Sequence, residues 1–261
     1  MDILQAICNL GIIKMEYILD IQFFGRGTSK AGGGGVAGKG GKKAGAGYDA
    51  SEVKLLDGST LDLSAYPLHY GEKDPTLTDR QRATTEAWEA KRVKAKVEYG
   101  TFVDENGRPR MEKRGGKSSV SLPLTGFMYE GNVLTHIHPR DAGSGYLGGT
   151  FSFADLKNFA LYPARTTRAA AAEGTYSISK TASFDKSGAL AFFSRVTSQR
   201  EAEHDTVCRG LRKQLRSGSI SISEFSARSA DSFNRMLVNL HNDYASGASQ
   251  YGYVYTLERR G

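Results

Sequence analysis

The chain has 261 residues, 39% of them hydrophobic and 24% charged, which suits a globular protein with a real core. Its formal net charge is +7, yet Arg26, Lys30, Lys39, Lys42 and Lys43 sit in one stretch without a single acid, so the rest of the chain is close to neutral and the charge is weak support for a nucleic-acid-binding domain. Of the two cysteines, Cys8 lies in the N-terminal tail, which argues against a structural disulfide with Cys208, and neither lies in a CxxC, which excludes a thiolate zinc site and fits a reducing compartment.

The first fifty residues read as a tail. "ILQAICNLGII" (3–13) is apolar, but Asp2 precedes it, no basic segment does, and it is too short to span a bilayer. The expectation is a soluble, cytoplasmic protein, with Met15 as an alternative start. Residues 25–47, "GRGTSKAGGGGVAGKGGKKAGAG", hold eleven glycines and almost no apolar bulk, so burial cannot offset the entropy of ordering. This predicts a flexible tail over 1–50 and one folded domain over 51–261. Such a basic tail either touches nucleic acid or an acidic partner loosely, or is simply solvated.

Within the domain, "LLDGSTLDL" predicts a short hairpin and "YPLHYGEKDP" a loop. A helix is expected over 76–97, with Thr78 as N-cap and no Gly or Pro until Gly100. "YGTFV", the turn "DENGRP", "RMEKRG" and "SVSL" predict strands. "GNVLTHIHP" leads from a turn into an apolar strand, "GSGYLGGT" reads as a flexible loop, and "FSFADLKNFAL" starts a helix. "TRAAAAEGTYSISKT" predicts a hairpin around Glu173 and Gly174, although four alanines alone favour helix. Helices over 197–216 and 221–246 and a closing strand in "YGYVYTL" complete the order. This is an α+β or α/β chain built around a single mixed sheet flanked by helices.

Two of the five histidines, His136 and His138, stand two apart on the predicted strand, so their imidazoles share a face. Pro139, which cannot donate to a ladder, ends the strand. The pair is either two hydrogen-bonded residues or half of a tetrahedral zinc site, which takes nitrogen or oxygen donors at about 2.0–2.2 Å. Ser152 and Asp155 in "SFAD" have the spacing of a capping box. The cap is also a rigid mount that can hold Asp155 toward the histidines. His69, His204 and His241 have no partner at ligand spacing and read as core or helix-surface residues.

"HIHP", a loop and "SFAD" resemble the H-x-H-P-x(n)-S-x-x-D signature of the JAMM (JAB/MPN) zinc metalloproteases. The resemblance implies that His136, His138 and Asp155 bind Zn2+, that Ser152 supports the water and the oxyanion, and that an upstream glutamate is the general base. Glu98, in "KVEYGTFVDENGRPR", matches that glutamate where helix gives way to strand, and Glu130 in "MYEGN" is its rival. The similarity covers about residues 77–181 and implies hydrolysis of a peptide or isopeptide bond in a polypeptide substrate. The sixteen residues between His138 and Asp155 exceed the family's usual run. "YILDIQFFGRG" resembles the "LQFF" leader of phage head proteins, which implies a prophage product associated with a capsid or virion. From these features two alternatives to the hydrolase follow, a phage head-associated binding protein and a nucleic-acid-directed toxin.

Overall fold

The computed structural model describes residues 52–54, 60–122, 131–139 and 147–259. The tail over 1–50, Cys8 and Glu130 lie outside the described residues. The fold is α+β. A mixed six-stranded sheet runs in the order β4-β3-β5-β6-β7-β8. Apart from it, β1 (Glu52–Lys54) and β2 (Thr60–Asp62) pair antiparallel, as the hairpin expectation has it.

Helix α1 (Asp79–Arg92) begins at Thr78, whose side chain accepts from the Gln81 N–H while the Gln81 side chain accepts from the Thr78 N–H. This reciprocal cap satisfies two amides that a helix start otherwise leaves open. The helix stops at Arg92, five residues earlier than expected, and the chain bends through 93–97 to enter β3 (Tyr99–Val103). The turn residue Gly107 has φ +77°, and β4 (Pro109–Arg114) pairs back on β3. The predicted strand "SVSL" is not one. Val120 and Leu122 instead pack over Gly100, where an added Cβ would meet Leu122 Cδ1 at 2.9 Å.

β5 (Val133–Ile137) lies between β3, antiparallel, and β6 (Thr166–Ala171), parallel. A parallel neighbour requires a crossover, and α2 (Phe153–Leu161) supplies it. β7 (Gly174–Lys180) returns from β6 through a two-residue turn, so the alanine run is strand, not helix. Long helices α3 (Lys186–Arg216) and α4 (Ile222–Ser246) follow, then the single turn α5 (Ala248–Tyr251) and edge strand β8 (Tyr253–Glu258). α3 starts eleven residues before the predicted 197, at the Asp185 cap. Its first turns bury Ala189, Phe192, Phe193 and Val196, so tertiary packing extends the helix over a segment with weak local helical signals.

The helices cover both faces of the sheet. α1 packs Trp88 on Ile137 and Ala170, while Leu77 meets Val103 and Val133. The larger core lies on the other face, where Leu156, Phe159, Phe193, Leu237 and Tyr244 meet Ala169, Tyr176, Ile178 and Leu257. Beneath α1 a buried ion network links Arg168 to Glu89 (2.8 Å) and to Glu258 (3.0 Å). Burial opposes the Arg168 charge, but the two carboxylates outweigh it and hold its pKa above the ordinary value. No helix among the described residues is long and apolar enough to cross a membrane.

Candidate metal centre

The strand period places the site. On β5, Val133, Thr135 and Ile137 point toward α1, Thr135 donating to Glu89 at 2.8 Å. His136 therefore points to the opposite face. Its neighbours across the sheet are Gly100 and Ala169, two of the smallest residues, which leave room for an imidazole. His138 lies just past the strand, and its N–H still donates to the Ala170 carbonyl at 2.9 Å, so the two rings remain on one face.

α2 brings the third group. Ser152 caps the helix: its Oγ accepts from the Asp155 N–H (3.2 Å), while its own N–H (2.9 Å) and O–H (2.8 Å) donate to Asp155 Oδ2. The capping box and the mount are thus one device, because the bonds that start the helix also orient the carboxylate. Asp155 Oδ1 lies 3.4 Å from His136 Nε2, Oδ2 lies 3.8 Å from His138 Nε2, and the two Nε2 atoms are 2.9 Å apart. Burial alone would raise the Asp155 pKa, but the imidazoles beside it outweigh burial and hold the carboxyl well below the usual range.

His136, His138 and Asp155 form a group that can hold a metal ion, with ligand atoms all within 4.8 Å of one another. The fit is reasonable: donors at about 2.0–2.2 Å from a tetrahedral centre lie roughly 3.3–3.6 Å apart, and the observed separations bracket that interval. Two neutral nitrogens and one carboxylate also match the donor preferences of a borderline dication.

Glu98 enters from the start of β3. Its main chain is fixed at both ends, the N–H donating to Gly116 (2.8 Å) and the carbonyl accepting from Gly115 (2.7 Å). Gly100, two residues on, pairs with His136, so Glu98 shares the face of the histidines. Glu98 is 1% exposed, and neither of its carboxylate oxygens accepts a hydrogen bond of normal geometry from the described residues. Burial pushes its pKa up to about 8; His138 opposes this, Asp155 adds to it, and the nearby Val120 amide lowers it a little. A buried carboxyl with so little hydrogen bonding is costly, and this one faces the candidate ligands.

The remaining histidines lie elsewhere. His241 is buried between the Tyr255 hydroxyl and the His69 carbonyl, each at 3.2 Å, and burial pushes its pKa down to about 4. His204 contacts Ser232 and Cys208 between α3 and α4.

Sequence reading passed over the residues behind the centre. The end of the glycine loop, read as flexible, is pinned: the Leu147 N–H donates to Asn234 (2.8 Å), Gly148 and Gly149 donate to Glu173, and the Thr150 and Tyr255 hydroxyls are 2.6 Å apart. Only the double glycine in "LGGT" hints at this, since Gly149 has φ +83° and a Cβ on Gly148 would stand 2.7 Å from that of Ala171. Compared with known proteins, the chain matches no family model, no curated protein and no solved structure. The reading of the centre therefore rests on its own residues.

Proposed function

We propose that the chain is a zinc-dependent hydrolase of peptide or isopeptide bonds, as the JAMM resemblance implies. One observation carries the reading. A buried carboxyl, Glu98, that accepts no normal hydrogen bond among the described residues stands beside a His136, His138 and Asp155 group that can hold a metal. Structural ion pairs satisfy their buried carboxylates, as Glu89 and Glu258 do here. A carboxyl left unsatisfied at a donor set fits a group kept for a proton that arrives with water.

Bound by His136, His138 and Asp155, zinc would supply Lewis acidity, polarising the scissile carbonyl and making water acidic near neutral pH. Glu98 takes the proton from the attacking water and delivers it to the leaving amine. Its raised pKa suits the delivery, and a dication nearby favours the ionised form needed for the uptake. Ser152 donates to the developing oxyanion. Its hydroxyl donates to Asp155 in this structure, so it turns to do so, while the Ser152 N–H keeps its own bond to the carboxylate. Phe151 is buried beside the His136 ring, their centroids 6.5 Å apart, an apolar neighbour that strengthens these electrostatic contacts.

The test pairs metal analysis with a search for new N-termini in unfolded proteins and for freed lysine ε-amines in isopeptide-linked conjugates after incubation. The wild type should carry about one zinc per chain and cleave. Glu98→Gln should keep the zinc and lose hydrolysis by roughly 10²–10⁴-fold. A wild type without zinc, or a Glu98→Gln variant as fast as wild type, overturns the reading. Zinc without any cleavage moves the protein to the binding class.

A further inference from the structure

We infer that Glu173 is a positioning residue for the candidate metal centre: through the Gly148–Gly149 backbone it aims a carbonyl at Nδ1 of His138 and so leaves Nε2 as the nitrogen that faces Asp155. The geometry is independent of any metal, while its consequence for metal affinity rests on the function proposed above.

The chain of contacts is short. His138 Nδ1 lies 3.0 Å from the Gly149 carbonyl oxygen. A carbonyl only accepts, so Nδ1 carries the proton and donates. With Nδ1 turned to the carbonyl, Nε2 is the nitrogen left for a metal, on the side of His136 and Asp155. The Gly149 carbonyl is aimed by the two peptides just before it, which Glu173 holds. Gly149 N–H donates to Glu173 Oε1 at 2.6 Å and Gly148 N–H donates to Oε2 at 3.1 Å. One carboxylate thus grips two successive amides, and charge-assisted bonds of this kind are the stronger ones.

Glu173 is itself anchored. It is 1% exposed, in the β6–β7 turn. The Tyr176 hydroxyl donates to Oε1 at 3.0 Å, and the Tyr70 hydroxyl donates to its backbone carbonyl at 2.8 Å. Burial, with Glu173 beside it, holds the Tyr176 pKa well above the ordinary value, so the phenol keeps the proton it donates.

The device answers a question raised by the long connection. Sixteen residues separate His138 from Asp155, and a long insertion would be expected to leave the ligands loosely aligned. The grip falls at 148 and 149, before the α2 cap, so the length of the preceding loop has no leverage on the ligands. Metal-binding histidines are oriented by what their other nitrogen touches, and losing that partner costs about 10–100-fold in metal affinity.

The test uses full-length Glu173→Gln. Glutamine keeps one acceptor but turns an amide donor on the other glycine N–H, so the grip fails without loss of volume. Two readouts are taken: the imidazole ¹H–¹⁵N spectrum of the metal-free protein, and zinc affinity by competition with a chromophoric chelator. In the wild type the His138 Nδ1 proton should be sheltered and resolved. In Glu173→Gln it should exchange with water, and zinc should bind about 10–100-fold more weakly, with a cooperative melt retained. Tyr176→Phe, which leaves both amide bonds in place, should stay close to wild type in both readouts. A wild-type His138 without an Nδ1 proton overturns the inference, as does a Glu173→Gln variant that keeps the sheltered proton. If the wild type binds no zinc, the proposed function fails while the spectrum still decides this point. Should Glu173→Gln not fold, Glu173→Asp, which keeps the charge and shortens the reach, takes its place with the same outcomes.

Discussion

The Nε2 atoms of His136 and His138 lie 2.9 Å apart. At that distance two bare lone pairs repel, so either one nitrogen donates a proton to the other or a cation draws both. Asp155, at 3.4 Å from the first, adds a negative charge to the same point. A dication bound there ties strand to helix and stabilises only the folded chain. Zinc at a hundredfold excess over its Kd should therefore raise the unfolding free energy by about 2.7 kcal/mol. His136→Ala and Asp155→Asn should lose most of that increment. Thermal melts with added zinc and with chelator check it, and equal shifts in all three proteins would place the metal elsewhere.

The proposed function adds an oxyanion duty to the cap that Ser152 provides, and the two can be separated. As an N-cap its loss costs about 1 kcal/mol of stability. As an oxyanion donor its loss costs about 10²–10³ in kcat. Ser152→Ala should show both effects, whereas Ser152→Thr, which keeps a capping hydroxyl, should recover most of the stability. A Ser152→Ala enzyme with a lowered Tm and an unchanged kcat would reduce Ser152 to a cap.

His241 should make the fold acid-sensitive. Its pKa falls from the ordinary 6.5 to about 4, chiefly through burial. Above pH 6.5 it is neutral in both folded and unfolded chains, and its contribution is fully present. As pH falls from 6.5 through 4 the unfolded chain takes up the proton first, and stability is lost, by about 3 kcal/mol in all. The bond to the His69 carbonyl and the Glu173 carboxylate oppose the shift, while the His69 ring adds to it. His241→Gln should be less stable at pH 7 and show a flatter loss between pH 6.5 and 4. Urea unfolding across that interval decides it, and parallel profiles for the two proteins would assign the acid sensitivity to other groups.

The Glu89–Arg168–Glu258 network lies on the face away from the metal group. Arg168→Met would strand two buried carboxylates and should cost about 3–5 kcal/mol. The triple variant Glu89→Gln, Arg168→Met, Glu258→Gln removes all three charges and should recover much of that loss. Zinc affinity in any variant that folds should match wild type. A change in affinity without unfolding would show that the two faces are coupled.

Much of the candidate site was legible because its spacings are local. Two residues apart on a strand means one face, so "HIHP" announced two imidazoles side by side. Three residues apart at a helix start means a capping box, so "SFAD" announced the bonds between Ser152 and Asp155. The Thr78 cap and the β6–β7 turn follow from the same short-range geometry, and the period-2 pattern was enough to expect a single mixed sheet.

What the sequence alone could not decide is everything that depends on which strands become neighbours. Glu98 reaches the site only because β3 pairs with β5 in the register that sets Gly100 against His136. Asp155 reaches it only because α2 crosses to a parallel β6. Glu173 carries no local signal, being one acid in a turn, and its grip on Gly148 and Gly149 exists only when that turn folds back beneath the loop. Arg168, in a strand of alanines and threonines, becomes the centre of a buried ion network only through Glu89 and Glu258, 79 and 90 residues away. The physical reason is common to all four. A dihedral period constrains residues within a turn or a strand, whereas register, crossover and long-range charge pairing follow from burying the whole sheet at once.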